Sequence, residues 1–242
     1  MVEVLVKVAV IGGGITGAAI AYDLALRGFK VTLFERGSIA SGTSGRTHGL
    51  LHSGCRYVRD VEVARRCYIE NMILRKIAPW LFEKNGGLFI GITEEDLAYK
   101  DFFLSQCEKA GIPVREISVK EAFKLEPNLN PNTKTTVIVP DSSFEALRVV
   151  LSFLASAKKR GAEVRPFHEV IGFNIRSGEI TSIKVKDWVT LKEKEFKVDF
   201  VVNATGPWAA KVSSLAGVKV PVKPSPVVMV ALRERVSTMV IN

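Results

Sequence analysis

The sequence predicts an α/β protein: a parallel sheet carrying an antiparallel meander, with a second antiparallel sheet that is started and not completed. Three observations predict it. The chain opens strand, glycine-rich turn, helix, strand, as VLVKVAVI, GGGITGAAIAYDLALRG and KVTLF. After residue 161 short β-rich runs follow one another across turns with no helix between them. The end, PVKPSPVVMVALRERVSTMVIN, carries three prolines and then one further strand, in PVVMVAL.

The elements follow in order. Residues 4–11 are nearly all apolar, which suits a parallel strand covered on both faces. In the next segment Ile15, Ala18, Ala19, Tyr22 and Leu26 keep helical spacing and Gly28 is a natural stop. Residues 30–34 form a second strand, completing a β-α-β unit. A helix is predicted over 61–78, with Val61, Ala64, Tyr68 and Met72 on one face and Pro79 ending it. GGLFIGI (86–92) reads as a strand, EEDLAYKDFFLSQCEKAG as a helix closed by Gly111, SVKEAFKL as a short helix, and TTVIVP as a strand. FEALRVVLSFLASAKKRG reads as a helix with Phe144, Leu147, Leu151 and Leu154 inward. AEVRPF then returns to the parallel sheet, EVIGFNI and EITSIKVKD form a meander across an Arg-Ser-Gly turn, and EFKVDFVVNATG leads back to the sheet.

The chain of 242 residues has 47% hydrophobic and 24% charged residues, ordinary for one or two packed domains of ~100–200 residues each. Net charge is +9, but the lysines are spread along KKRGAEVR and KVKDWVTLKEKEFKV rather than gathered in a tail, so no nucleic-acid partner is expected. The surplus suits a solvated surface or an anionic substrate. Three cysteines without CxxC spacing argue against disulfides and zinc and for a reducing cytosol; Cys67 and Cys107 are expected in the core. The N-terminal run lacks a basic leader, and no run reaches the ~18 apolar residues of a membrane span. A cytoplasmic location is expected, and peripheral association with the membrane stays open.

The chemistry lies in the first turn. Gly12-x-Gly14-x-x-Gly17 is followed by Ala21, Leu24, Gly28, Val31 and Glu35. Gly12 permits the tight strand-to-helix turn, Gly14 a close approach of pyrophosphate to backbone, and Gly17 close packing of helix on strand. The helix N-terminus presents free N–H groups to phosphate. Glu35 can accept from ribose hydroxyls and disfavours a 2′-phosphate, which argues against NADP. This says dinucleotide without separating NAD from FAD. The glycine- and serine-rich segment from Gly37 to Arg59 replaces the crossover helix of a simple NAD domain and can run under a longer cofactor, which favours FAD. VVNATGPW adds a second close backbone approach. The first domain is therefore predicted to be a Rossmann-like FAD-binding domain formed by 1–80 and 138–217, with 81–137 and 218–242 forming part of an antiparallel substrate (cap) domain.

ASGTSGRTHGLLHSGCRYV, NGGLFIGI, IVPDSSF and VVNATGPWAAKV together resemble the FAD-dependent glycerol-3-phosphate dehydrogenases, most closely the anaerobic-type large subunits, within the D-amino-acid-oxidase-like flavoproteins. The resemblance runs along nearly the whole chain, and RTHGLLHSGCRY is its most specific part. It implies FAD binding by Gly12, Gly14, Ile15, Thr16, Gly17, Glu35, Arg36, Ser41, Thr43, Ser44, His48, Gly49, Leu50, Val170, Ala204, Thr205 and Gly206. It also implies a substrate site at Arg56 and Tyr57, where a guanidinium suits a phosphate monoester. The implied reaction is oxidation of sn-glycerol 3-phosphate to dihydroxyacetone phosphate, with electrons passing on to other subunits and a quinone.

His52 and His48 are the candidate bases, set against a role in holding loop backbone alone. They have no third ligand in sequence, so no metal site is expected, and His168 is read as structural. Family members continue beyond this length, so a partner subunit or second chain supplying the remainder is expected, as is self-association through an open sheet edge. Two alternatives stand beside this reading: a 2-hydroxy acid or amino acid as substrate on the same scaffold, since Arg56 would also suit a carboxylate, and a non-catalytic FAD-binding fragment.

Overall fold

The computed structural model describes residues 6–242, so Val4 and Leu5 of the expected first strand lie outside the described residues. In chain order the elements are β1 (Lys7–Ile11), α1 (Ile15–Leu26), β2 (Lys30–Phe34), β3 (Leu50–Leu51), α2 (Val61–Ile77), β4 (Phe82–Glu83) and β5 (Gly87–Gly91). There follow α3 (Glu94–Ala110), β6 (Arg115–Ile117), α4 (Val119–Leu125), β7 (Thr135–Val139), β8 (Ser142–Phe144) and α5 (Ala146–Lys159). The chain then runs through β9 (Glu163–Arg165), β10 (His168–Arg176), β11 (Glu179–Asp187), β12 (Glu193–Lys197), β13 (Phe200–Asn203), α6 (Ala209–Ser214) and β14 (Val240–Ile241). They divide into two compact units, residues 1–47 with 146–229 and residues 48–145 with 230–242. The break after residue 47 puts α2 in the second unit, whereas the sequence predicts a first domain running on to residue 80.

The first unit is built on a parallel sheet in the order β13-β1-β2-β9. Side chains alternate across its strands, so β1 serves two cores at once. Val8 and Val10, with Val31 and Leu33 of β2, pack under α1 and α5 against Ala18, Ala21, Ala25, Val150, Leu154 and Ala157. Ala9, Ile11 and Phe34 point the other way, onto Val170, Ile183 and Val185 of the antiparallel meander β10-β11-β12. The near-continuous apolar run of β1 follows from this double burial.

The inward face of α1 consists of Gly17, Ala18, Ala21 and Ala25, while Ile15 and Leu26 are exposed, contrary to the expected face. The helix sits too close to β1 for larger residues: a Cβ on Gly17 would lie 1.9 Å from the carbonyl oxygen of Gly12. In α5 the phase is likewise rotated. Val149, Val150, Leu154 and Ala157 are buried and Leu147 and Leu151 exposed, and Phe144 belongs to β8 rather than to the helix.

The second unit has a sheet in the order β14-β5-β7-β6, with β14 parallel to β5 and the others antiparallel. Val137 and Val139 face a core with Phe103 and Cys107 of α3, Ala64 of α2, Cys55 and Val58. Leu88, Ile90 and Ile138 face the other way, onto Ile117, Ala122, Leu129 and Ile241. Asp60 caps α2, Thr93 and Asp96 form a capping box on α3, and Gly111 ends α3 in the left-handed region at φ +73°. On α2 Ala64 and Asn71 are the buried residues and Met72 is exposed, which corrects the expected face. A second small sheet, β3-β8-β4, carries the polar loop after residue 48. The strand expected in PVVMVAL is absent. Residues 218–239 hold neither helix nor strand, with Val227, Val228, Val230 and Leu232 exposed, and the chain regains a strand only at β14. There the buried Glu126 carboxylate accepts from the backbone N–H groups of Thr238 (2.8 Å) and Met239 (2.5 Å).

Candidate functional site

In the first unit the C-terminal ends of β1, β2 and β13 open onto a cavity of about 840 Å³, within the ~300–1,000 Å³ usual for small-molecule sites. A ligand crevice outside the carboxyl ends of parallel strands is what this architecture provides. Gly12 leaves β1 at φ +112°, and a Cβ there would lie 2.5 Å from the carbonyl oxygen of Ala204. β1 and β13 therefore approach through backbone alone.

α1 begins at Gly14, which offers no capping side chain, and has no acid in its first turn. The N–H of Ile15 is satisfied from across the chain by the Ser44 hydroxyl at 2.9 Å. The positive end of the helix thus faces the cavity without a charged partner, as an anion site requires. Glu35 ends β2 and closes the turn: one carboxylate oxygen accepts from the N–H of Gly13 at 2.7 Å and the other from the N–H of Gly37 at 2.8 Å. Each oxygen keeps a lone pair for a ligand hydroxyl.

Gly12, Gly14, Ile15, Thr16, Glu35, Arg36, Ser41, Thr43, Ser44, Val170, Ala204, Thr205 and Gly206 all line this cavity. Gly17 lies beneath it, against Gly12. Sequence reasoning missed Arg46, Trp208, Lys211 and His168, which also line it. The Arg36 guanidinium stacks 4.2 Å over the Trp208 ring, and Arg46 donates to the carbonyls of Ser41 and Gly42, tying the small-residue loop. Trp208 and Lys211 directly follow the Ala-Thr-Gly segment, so proximity to it was the available signal. The expectation for His168 is a structural role. Its Nδ1 does donate to the carbonyl of Pro166 at 2.8 Å, yet the residue also lines the cavity. The glycine turn, the uncompensated helix end, the carboxylate and the cations Arg46 and Lys211 fit a dinucleotide with its diphosphate at α1.

His48, Gly49, Leu50, His52, Arg56 and Tyr57 belong to the second unit. Gly49 is buried at φ +67°, where a Cβ would lie 2.4 Å from the Phe144 carbonyl oxygen. His48 is exposed. His52 is half-buried, and its Nδ1 lies 3.2 Å from a carboxylate oxygen of Asp141. Asn71 Nδ2 donates to the carbonyls of Leu51 (3.2 Å) and His52 (3.1 Å), fixing the backbone beneath the ring. Gly54, at φ +94° and 2.2 Å by its absent Cβ from the Ala64 carbonyl oxygen, turns the chain into the single 3-10 turn Cys55–Tyr57. That turn buries Cys55 and presents Arg56 and Tyr57 to solvent. Sequence reasoning also missed Asp141, in the IVPDSSF segment, as part of this cluster, because it lies 89 residues from His52.

Comparison with known proteins gives a consistent result. The family described as DAO, FAD dependent oxidoreductase, matches residues 7–241. The A1 subunit of the anaerobic glycerol-3-phosphate dehydrogenase of Haloferax volcanii is 40% identical over 98% of this chain and 42% of its own length. The corresponding chain of the anaerobic enzyme from Escherichia coli K12 is 39% identical over 97% of this chain and 44% of its own length. The chain thus spans under half the length of these curated relatives. Among solved structures, L-proline dehydrogenase from P. horikoshii superposes with a TM-score of 0.79 at 28% identity, covering 90% of this chain and 57% of that one. Glycerol-3-phosphate dehydrogenase from Bacillus halodurans, complexed with FAD, gives 0.66 at 26% identity, covering 89% and 37%.

Proposed function

Since the chain belongs to the DAO family of FAD dependent oxidoreductases, with FAD as its cofactor, we propose that it oxidises sn-glycerol 3-phosphate to dihydroxyacetone phosphate. The observation that carries this is the 39–40% identity to subunits of anaerobic glycerol-3-phosphate dehydrogenases along 97–98% of the chain.

In this reading the first unit holds the cofactor and the second carries substrate residues. The N-terminus of α1, with the Thr16 N–H and the Ser44 hydroxyl, would hold the diphosphate, Glu35 would accept from the ribose hydroxyls, and Val170, Ala204, Thr205 and Gly206 wall the cavity. Bound FAD supplies a two-electron acceptor for the hydrogen on the substrate's C2. Arg56 and Tyr57 hold the phosphate of the substrate by charge-assisted hydrogen bonds. His52 takes the proton of the C2 hydroxyl. It is preferred to His48 because its ring is held in place by Asp141 and its backbone by Asn71. The chain works with partner subunits, since its relatives are themselves named as subunits of a larger enzyme, and delivers electrons at the cytoplasmic face of the membrane as a peripheral protein. Among the described residues, no helix is long and apolar enough to cross a membrane.

Anaerobic addition of glycerol 3-phosphate to the FAD-loaded protein tests the reading: the flavin absorbance bleaches, and an unchanged spectrum refutes it. The higher TM-score of L-proline dehydrogenase supports a second reading, an amino acid substrate whose carboxylate occupies Arg56. Bleaching by L-proline and not by glycerol 3-phosphate would establish it.

A further inference from the structure

Asp141 follows Pro140 in the turn between β7 and β8, and its side chain is 1% exposed. Its carboxylate is fully engaged. One oxygen accepts from the Ser53 N–H and the Ser53 O–H, both at 2.6 Å. The other meets Nδ1 of His52 and Nδ2 of Asn242, both at 3.2 Å. Burial pushes the Asp141 carboxyl up, but the hydrogen bonds from His52 and Ser53 outweigh it and hold the group below the usual carboxylate range. It is therefore ionised near neutral pH. An ionised carboxylate has no proton to give, so its contact with His52 requires the hydrogen to be on Nδ1.

The other groups around Asp141 agree with this charge. Arg75 lines the same turn, donating to the Pro140 carbonyl at 2.5 Å and acting on Asp141 by charge. The Ser53 hydroxyl spends its one proton on Asp141, and its oxygen lies 3.3 Å from the Cys55 sulfur.

We propose that Asp141 is the positioning residue for His52: it holds the imidazole in the Nδ1–H tautomer, so that Nε2 carries the lone pair that accepts the substrate's hydroxyl proton. The substrate O–H bond breaks, an Nε2–H bond forms, and the resulting imidazolium stays paired with the Asp141 carboxylate. The inference rests on the reading of His52 as the base. Asp141 touches neither substrate nor cofactor and acts through the ring alone, as the carboxylate of a Ser-His-Asp triad does.

Asp141→Asn gives a directional test. The two Ser53 donors select the amide oxygen on their side and turn the NH₂ toward His52, where it donates to Nδ1 and forces the proton onto Nε2. Nitrogen-15 NMR of the histidine rings in the cofactor-free chain, with His52 assigned by His52→Asn, should show an Nδ1–H ring in the parent and an Nε2–H ring in Asp141→Asn. In the FAD-loaded protein, flavin reduction by glycerol 3-phosphate should slow by about 10²–10⁴-fold in kcat with little change in KM. An Nε2–H ring in the parent overturns the inference, and so does a variant whose tautomer and rate are unchanged. Should Asp141→Asn fail to fold, the parent's tautomer decides alone. If His52→Asn reduces flavin normally, His52 is not the base and the inference is overturned; if glycerol 3-phosphate never reduces the flavin of the parent, the proposed function fails while the tautomer readout still stands.

Discussion

The carboxylate of Glu35 accepts the backbone N–H of Gly13 at 2.7 Å, so the acid that ends β2 is the clasp of the turn that ends β1. Its second oxygen holds Gly37 at 2.8 Å, at the entrance to the polar loop. The ribose acceptor expected from the sequence is thus also a structural residue. Glu35→Ala should lower stability by about 1–3 kcal/mol, because two partly buried N–H groups lose their acceptor. It should also weaken FAD binding by more than tenfold. Thermal unfolding without cofactor and quenching of Trp208 fluorescence on FAD addition measure the two effects separately, since Trp208 borders the cavity.

Two glycines in the same β-α-β unit should respond very differently to alanine. A Cβ at Gly17 meets the carbonyl oxygen of Gly12 at 1.9 Å, and backbone has nowhere to move. Gly28 has φ +85° and open space around it. Gly28→Ala should cost only the left-handed penalty, about 1–2 kcal/mol. Gly17→Ala should cost more than that and abolish FAD uptake. Equal melting temperatures for the two variants would contradict the helix-on-strand contact.

Acid should loosen the meander at one identifiable group. The Asp187 carboxyl is held down to about 2 by the Thr190 hydroxyl, against some burial, with help from the N–H groups of Val189 and Thr190 and from His168. Its folded value lies below the unfolded one of about 3.9. The stabilisation is therefore complete above roughly pH 4 and is lost as pH falls through about 2. Thr190→Val removes the main cause, and carboxyl carbon NMR should then show Asp187 titrating at higher pH than in the parent.

The three thiols should separate by accessibility. Cys55 and Cys107 are buried with their sulfur atoms 3.9 Å apart, while Cys67 is half-buried on α2. Cys107 is pushed far above the ordinary thiol range by hydrogen bonding to Cys55 and by burial. A disulfide exchange reagent should consume one thiol quickly, that of Cys67, and the other two only on unfolding. Cys67→Ser should remove the fast phase.

Much of the first unit was legible because its signals are local. Gly12, Gly14, Gly17 and Glu35 encode a turn, and the doubly buried β1 shows as an unbroken apolar run. Helix faces were harder to read. Apolar spacing placed Ile15, Leu26, Leu147 and Leu151 inward, but contact with a sheet at close range selects glycine, alanine and valine instead. The expected strand in PVVMVAL failed for a different reason: propensity for a pleated surface is realised only beside a neighbouring strand. In the second unit the loop residues His52, Arg56 and Tyr57 stood out by type. Asp141 did not, because a carboxylate 89 residues away carries no sequence mark of which imidazole it will meet.

Parallel pairing of β1 with β13 joins Ile11 to Asn203, 192 residues later in the chain. During synthesis, β1 and β2 emerge early and pair with each other, but the wall that Ala204 and Thr205 add to the cavity arrives only after the whole of residues 48–145 has left the ribosome. Such distant closure is slow. The second unit has its own core in that interval, while the nascent first unit waits with one edge of β1 unpaired. Stalled or shortened translation products ending before residue 200 should therefore be captured by chaperones and fail to take up flavin, although every glycine of the dinucleotide turn is already present in them.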